Sequence, residues 1–260
     1  MLTGVSTSCL FPMLTEDALQ HLLDQGVNTV ELFLNSQSEA EPEFANKVKK
    51  MTDAAGASVV SVHPYSSEYE GLNFFGRYPR RFEDSVNEYK RYFNFCNIVG
   101  AEVLAFHGLR DFMNATNDFY FERFERLSDI AKSSGIKLCQ ENVSRCYSAH
   151  PEFLSEMKKA IPQVNFLFDA KQAVRAGHAP LKILELMGEN TAHIHLSDHS
   201  PSCDCLPLGE GEFELQKFAS CLRKFNYDGA IIIELYRWNF ELEEQLAESE
   251  KIISKIIRND

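Results

Sequence analysis

The sequence predicts a single α/β domain over residues 1–260, a (β/α)8 barrel in which eight parallel strands close on themselves inside a ring of helices. Two observations carry this prediction. Short β-rich apolar runs alternate with longer segments of helical period, the pattern of βα units that feed a parallel sheet. Glu141, Asp169, His195 and Glu234 each close one such run, at intervals of 28, 26 and 39 residues. A ligating or charged residue in that position is costly in a core. In a closed parallel barrel, however, the carboxyl ends of all strands converge on one face, and such enzymes keep their chemistry there.

Taken in order, strands are expected at 4–8, 29–34, 58–63, 102–107, 137–141, 165–169, 193–196 and 230–234. Gly135-Ile136-Lys137-Leu138-Cys139-Gln140 leads into Glu141, and Val164-Asn165-Phe166-Leu167-Phe168 into Asp169. Thr191-Ala192-His193-Ile194 leads into His195, and Ala230-Ile231-Ile232-Ile233 into Glu234. Helical stretches separate the strands. Thr15-Glu16-Asp17 opens the first helix and Gly26 closes it, and the second runs from near Pro42 to Gly56. Gly100 ends an amphipathic segment from about Arg81, and Gly135 ends another from about Asp118. Gly177 precedes the strand-free stretch 180–188. No linker or low-complexity tract interrupts the pattern.

Composition is consistent with the barrel and removes rivals. A chain of 260 residues has the usual size for one such barrel, and 44% hydrophobic residues suffice for a sizeable core. No leader pattern is present, and no run approaches the roughly 18 consecutive apolar residues of a membrane span. A soluble, cytoplasmic protein is expected. Lys+Arg 26 against Asp+Glu 38 gives a net charge of −12, which repels nucleic acid and anionic membranes. The seven cysteines are odd in number and several sit in apolar runs, as reduced thiols do.

Residues 64–81 form the main irregular insertion, with Tyr65, Tyr69, Phe74, Phe75 and Tyr78 beside Arg77, Arg80 and Arg81. It follows a strand end, so it reads either as an aromatic lid over a small polar ligand or as a loop packed down by its own aromatics. His63 and His107 also end strands and should face the same mouth. Singly, each is more often a hydrogen-bonded core histidine; with four other ligating residues at strand ends, a shared site is the better account.

These residues resemble the xylose isomerase-like TIM barrels, a family that includes ketose 3-epimerases, hydroxypyruvate isomerases, inosose dehydratases and the endonuclease IV (AP endonuclease family 2) type of DNA repair enzyme. The matching pieces are Ser61-Val62-His63-Pro64-Tyr65, Gln140-Glu141-Asn142, Phe168-Asp169 with Ala176-Gly177, His193-Ile194-His195-Leu196-Ser197-Asp198, and Leu206-Pro207-Leu208-Gly209-Glu210-Gly211-Glu212-Phe213. Tyr227-Asp228-Gly229 through Glu234 looks like the family's closing strand.

The resemblance implies that Glu141, Asp169, His195 and Glu234 hold one divalent metal, with Mn²⁺ the first choice over Mg²⁺, Co²⁺ or Zn²⁺ for three carboxylates and an imidazole. The alternative, that the carboxylates only pair with Lys171, Arg175 or Arg237, leaves the histidines without a role. Bound there, a divalent ion would act as a Lewis acid on a carbonyl and its neighbouring hydroxyl. Glu141 and Glu234 would then be the catalytic acid and base, with His63, His107 and Gln172 binding substrate. The expected function is a metal-dependent sugar isomerase or epimerase acting on a small ketose, polyol or keto acid. Alternatives are an inosose-type dehydratase, a non-catalytic sugar-binding barrel and, last, a nuclease.

Departures shape that ranking. Gln172 stands where the nuclease and epimerase branches place a histidine, and it hydrogen-bonds without carrying protons. Pro201 replaces an arginine common in the epimerases. Cys203 and Cys205 stand where the nucleases have an aspartate and a histidine, so the three-zinc nuclease site looks broken; the cysteines are either ordinary loop residues or a different metal site. Gly209-Glu210-Gly211 reads as a tight turn rather than an anion cradle, since Glu210 and Glu212 would oppose a phosphate. The family also implies pairing through exposed helices, hence a homodimer.

Overall fold

In the computed structural model, which describes residues 1–258, the strands are β1 (Leu2–Ser6), β2 (Thr29–Phe33), β3 (Ser58–His63), β4 (Val103–Phe106), β5 (Lys137–Glu141), β6 (Asn165–Asp169), β7 (Thr191–Leu196) and β10 (Ala230–Ile233), with a hairpin of β8 (Asp198–Ser200) and β9 (Cys203–Leu206) before the last. The eight parallel strands close in the order β1-β10-β7-β6-β5-β4-β3-β2, and Leu2 opposite Ala230 and Val5 opposite Ile233 seal the ring. The (β/α)8 barrel expected from the alternating pattern is therefore present. The first strand lies two residues earlier than expected, because Thr7–Leu10 turn into a short 3-10 helix whose entry is capped by Ser6.

Alternation along each strand divides the core in two. Outward residues such as Val30, Leu32, Leu104, Phe106, Phe166, Phe168, Ile194, Ile231 and Ile233 pack under the helices in one large apolar cluster. Inward residues at the foot of the barrel, Val103, Ala105, Cys139 and Leu167, form a second, small cluster. Further up, the interior turns polar: Glu31, Ser61, His63, Glu141, Asp169, His193 and His195 are all buried. This layering puts His63, Glu141, Asp169 and His195 toward the carboxyl ends of the strands, with Glu31 and His193 beneath them.

The helices are α1 (Thr15–Asp24), α2 (Pro42–Ala55), α3 (Glu70–Phe75), α4 (Pro79–Val99), α5 (Asn117–Ser133), α6 (Pro151–Ala160), α7 (Ala170–Arg175), α8 (Pro180–Met187), α9 (Leu215–Lys224) and α10 (Glu244–Arg258). Proline opens α2, α4, α6 and α8, where its fixed φ suits a first turn and its missing N–H costs nothing. None of the described helices is long and apolar enough to cross a membrane.

The insertion at 64–81 is ordered rather than irregular, a correction to the sequence reading. Tyr65–Tyr69 form a 3-10 turn, α3 follows, and α4 begins at Pro79. Phe74 meets Tyr89 edge-on at 4.7 Å and Phe75 stacks on Tyr120 at 4.2 Å; each such pair contributes about 0.5–1.5 kcal/mol beyond its buried area. Two of the aromatics thus pack the insertion down, Tyr69 and Tyr78 stay exposed, and Tyr65 alone of the five reaches the cavity described below.

Candidate metal centre and cavity

The strand ends bring the expected residues together. Glu141 ends β5, Asp169 ends β6, His195 lies opposite Asp169 in the β6–β7 register, and Glu234 follows β10 directly. Ligand atoms of Glu141, Asp169 and His195 all lie within 4.8 Å of one another. His195 Nδ1 is 3.3 Å from Glu234 Oε2 and 3.8 Å from Asp169 Oδ2. His63 and His107 sit against Glu141: their Nε2 atoms are 2.9 Å apart, and His107 Nε2 is 3.1 Å from Glu141 Oε2.

Three of the four ligand candidates are held from behind. Asp169 caps α7, its Oδ1 accepting from the Gln172 N–H at 2.9 Å, which leaves Oδ2 for the site. Asn142 accepts from the Asp169 N–H at 2.7 Å and donates to its carbonyl at 2.9 Å. Glu234 Oε1 accepts from the Ser8 hydroxyl at 3.2 Å. His195 Nε2 is 2.8 Å from Glu31 Oε2, an oxygen that also meets His193 Nε2 at 3.2 Å and accepts from the Ser61 hydroxyl at 2.8 Å. A carboxylate on one ring nitrogen directs the other nitrogen's lone pair toward a metal, the usual second partner of a ligating histidine.

These residues suit a divalent ion. The donor set of carboxylates and imidazole is that of hard and borderline metals. Two of its atoms, Glu141 Oε2 and His195 Nδ1, are buried without a well-aligned hydrogen bond, with His107 Nε2 at 3.1 Å and Glu234 Oε2 at 3.3 Å beside them, although buried polar atoms are normally paired. Burial alone would raise the Glu141 carboxyl; His107 and His63 outweigh it and hold the group well below the usual carboxylate range. Glu234 is likewise held low against burial, by Lys171 and His195. Burial lowers His107 and His193 below the ordinary imidazole value.

One cation of the chain itself enters the group. Lys171, in the first turn of α7, places Nζ 2.6 Å from Asp169 Oδ2 and 2.6 Å from Glu234 Oε2, with its side chain only 3% exposed. Burial works against its charge, but the two carboxylates hold it well above its ordinary pKa. The ion-pair alternative is thus realised for two of the four carboxylate and imidazole ligands, through Lys171. Arg175 instead pairs with Asp204 and Arg237 with Glu243.

A cavity of about 430 Å³ opens above these residues, lined among others by Ser8, Phe33, His63, Tyr65, His107, Glu141, Lys171, Gln172, Glu234 and Tyr236. Asp169 and His195 are not part of its lining. Gln172 presents its amide, with the carbonyl oxygen accepting from the Ser144 hydroxyl at 2.8 Å. Arg145 also lines the cavity, paired with Glu68, whereas Arg77, Arg80 and Arg81 do not. Trp238, stacked on Tyr236 at 4.9 Å, and Phe11 complete an aromatic rim that the sequence reading missed.

Other expectations resolve at the hairpin. Cys203 and Cys205 belong to strand β9 rather than to a loop, and neither joins a cluster of potential ligands among the described residues. The N–H groups of Gly209, Gly211 and Phe213 all donate to the buried Asp198 at 2.9, 3.1 and 2.8 Å, so the glycine turn is satisfied internally.

A family model described as xylose isomerase-like TIM barrel matches residues 19–256. An uncharacterised protein of Methanocaldococcus jannaschii is 30% identical over 125 residues, 45% of this chain and 43% of that protein, so the match spans less than half of that relative. A D-tagatose 3-epimerase-like protein superposes with a TM-score of 0.81 at 20% identity, covering 100% of this chain and 98% of its own. D-psicose 3-epimerase from Clostridium cellulolyticum H10, solved with D-tagatose, gives 0.78 at 12% identity with 100% and 99% covered. The IolI protein, solved with a zinc atom, gives 0.78 at 15% identity with 100% and 99% covered.

Proposed function

The chain belongs to the xylose isomerase-like TIM barrel family, and from there we propose that it is a divalent-metal-dependent isomerase or epimerase of a small ketose, polyol or keto acid. The observation that carries this reading is the pair Glu141 and Glu234. Both line the cavity, they stand on strands three places apart in the barrel order, and both are held ionised beside His195. The sugar class is supported by the epimerase names of the structural neighbours, and a metal by the zinc in one of them.

Held by Glu141, Asp169, His195 and Glu234, a divalent ion, Mn²⁺ before Mg²⁺, Co²⁺ or Zn²⁺, supplies the Lewis acidity that makes the proton next to a carbonyl removable. The chain does the rest. One of Glu141 and Glu234 takes the proton from carbon and the other returns it, an acid–base contribution of about 10²–10⁴ in rate. The ring of His107, with His63 and the amide of Gln172, holds substrate hydroxyls along the cavity wall. Return to the same carbon from the opposite face gives an epimer, transfer by a single carboxylate along one face to the neighbouring carbon gives an aldose–ketose pair, and loss of a β-hydroxyl gives a dehydrated product. The enzyme would work in the cytoplasm, as a homodimer paired through its outer helices.

Proton NMR in D₂O, with Mn²⁺-loaded protein and a panel of ketoses, aldoses, inososes and hydroxypyruvate, tests this. Metal-dependent loss of a carbon-bound proton in one compound is expected, and its product names the outcome. Glu141→Gln and Glu234→Gln should each lower exchange by about 10²–10⁴. Near wild-type exchange in either variant would remove the two-carboxylate mechanism, and no exchange across the panel would remove the enolisation reading.

A further inference from the structure

We infer that Lys171 is a resident cation of the centre, seated between Asp169 and Glu234 where a divalent ion needs those same two oxygens, so that metal binding displaces it. This inference rests on the metal reading of the site and not on the sugar chemistry.

Four observations converge on it. The contacts of Lys171 Nζ fall on Asp169 Oδ2 and Glu234 Oε2, each at 2.6 Å. These are the oxygens nearest His195 Nδ1. The remaining oxygens already accept elsewhere: Asp169 Oδ1 from the Gln172 N–H and Glu234 Oε1 from the Ser8 hydroxyl. While Lys171 stays, the inner oxygen of each carboxylate is therefore met by its ammonium. Finally, Lys171 lines the cavity whereas Asp169 and His195 do not, so the ammonium lies on the way from solvent to the deep ligands.

The charges give the same answer. Three carboxylates in one pocket repel one another strongly when ionised unless a cation lies among them. Lys171 supplies that charge from within the chain, through the first turn of a helix that Asp169 itself caps. A divalent ion brought to the same two oxygens would face the ammonium at close range, and like charges at that separation oppose one another. Where Lys171 now sits, its Nζ already lies over the Tyr236 ring, 5.2 Å from the centroid, and displacement would carry the side chain outward into the cavity that it lines.

The test compares wild type with Lys171→Met, which keeps the length and removes the charge, by calorimetric titration with Mn²⁺ and thermal melts. The variant is expected to bind Mn²⁺ tighter by about tenfold or more. Without metal it should melt below wild type, and Mn²⁺ should restore it. Equal or weaker binding by the variant overturns the inference and leaves the metal site standing. Absence of binding in both proteins removes the metal reading, and the inference with it. Should the variant not fold, the wild type still decides. Amine acetylation of Lys171, read by mass spectrometry, should rise severalfold at saturating Mn²⁺; unchanged labelling overturns displacement.

Discussion

Glu31 lies outside the cavity and meets His195 at Nε2, so that Nδ1 is the nitrogen facing Asp169 and Glu234. Glu31 Oε2 receives Ser61, His193 and His195, while Oε1 is buried without a partner. Burial would push the Glu31 carboxyl up, but His195 and His193 hold it far below the usual range, so it is an anion throughout the working range of the protein. Exchanging it for glutamine removes the charge that fixes the His195 tautomer. In the Lys171→Met protein, where the competing ammonium is gone, Glu31→Gln should weaken Mn²⁺ binding by about 10–100-fold. Unchanged affinity in the titration would deny Glu31 its positioning role. The contrast with the readable residues is instructive. Glu141, Asp169, His195 and Glu234 are legible because each ends an apolar run, where a polar residue has to be explained. Glu31 bears the same cost in the middle of Thr29-Val30-Glu31-Leu32-Phe33, and His193 shares the inward face of His195 by strand alternation; both signals are in the sequence and both precede a strand end. Lys171 has no such signal. A lysine after a strand normally reaches solvent, and this one turns inward only because Asp169 starts α7 at once and sets Lys171 over the carboxylates.

At the scale of elements, the segment between β3 and α4 is fastened by one buried acid. Glu70, the first residue of α3, accepts from the N–H groups of His107 and Gly108 at 2.7 and 2.6 Å, and Tyr89 donates to its other oxygen. α3 is thereby tied to the end of β4, beside His107. Burial raises the Glu70 carboxyl to about 8 in spite of those donors. A carboxyl with a folded pKa above its unfolded value binds the proton more tightly when folded. Its contribution to stability is therefore complete below the unfolded value, about 4.3, and is lost as pH rises through about 8. Glu70→Gln mimics the protonated acid and cannot titrate. Its urea midpoint should vary less between pH 5 and 8 than the wild-type midpoint, which should decline over that window; parallel curves for the two proteins would refute the assignment. The insertion was the element hardest to read in advance, since its aromatics serve a lid or a packed loop equally well by composition. What decides is contact with α4 and α5, where Phe74 meets Tyr89 and Phe75 meets Tyr120, and those partners lie 15 and 45 residues further along the chain.

For the whole molecule, strand alternation and helix punctuation were enough to read the barrel, because every βα unit repeats the same local physics. Closure is different, since it joins the two ends of the chain and no local pattern marks the seam. Gly4 sits at that seam, opposite Ile232 on β10 and facing inward with Ser6. A Cβ on Gly4 would collide with the carbonyl group and the Cβ of Thr29, at the start of β2. Backbone atoms of a paired strand cannot swing aside as a flexible side chain can, so β2 itself would have to move. Ser6 stands opposite Glu31 in the β1–β2 register, and Glu31 holds His195, so a shift of β2 reaches the centre from the far side of the seam. Gly4→Ala should therefore cost about 1–3 kcal/mol of stability, as overpacking does, and should weaken Mn²⁺ binding in the same protein. Gly26 offers the comparison, since its φ is +83° and nothing lies near an added Cβ. Gly26→Ala is strained by its backbone alone, and its loss of stability should leave Mn²⁺ affinity unchanged. If Gly4→Ala unfolds at the wild-type urea midpoint, the seam is looser than its close approach implies; if both variants lower metal affinity alike, the centre responds to stability in general and not to the closure of the barrel.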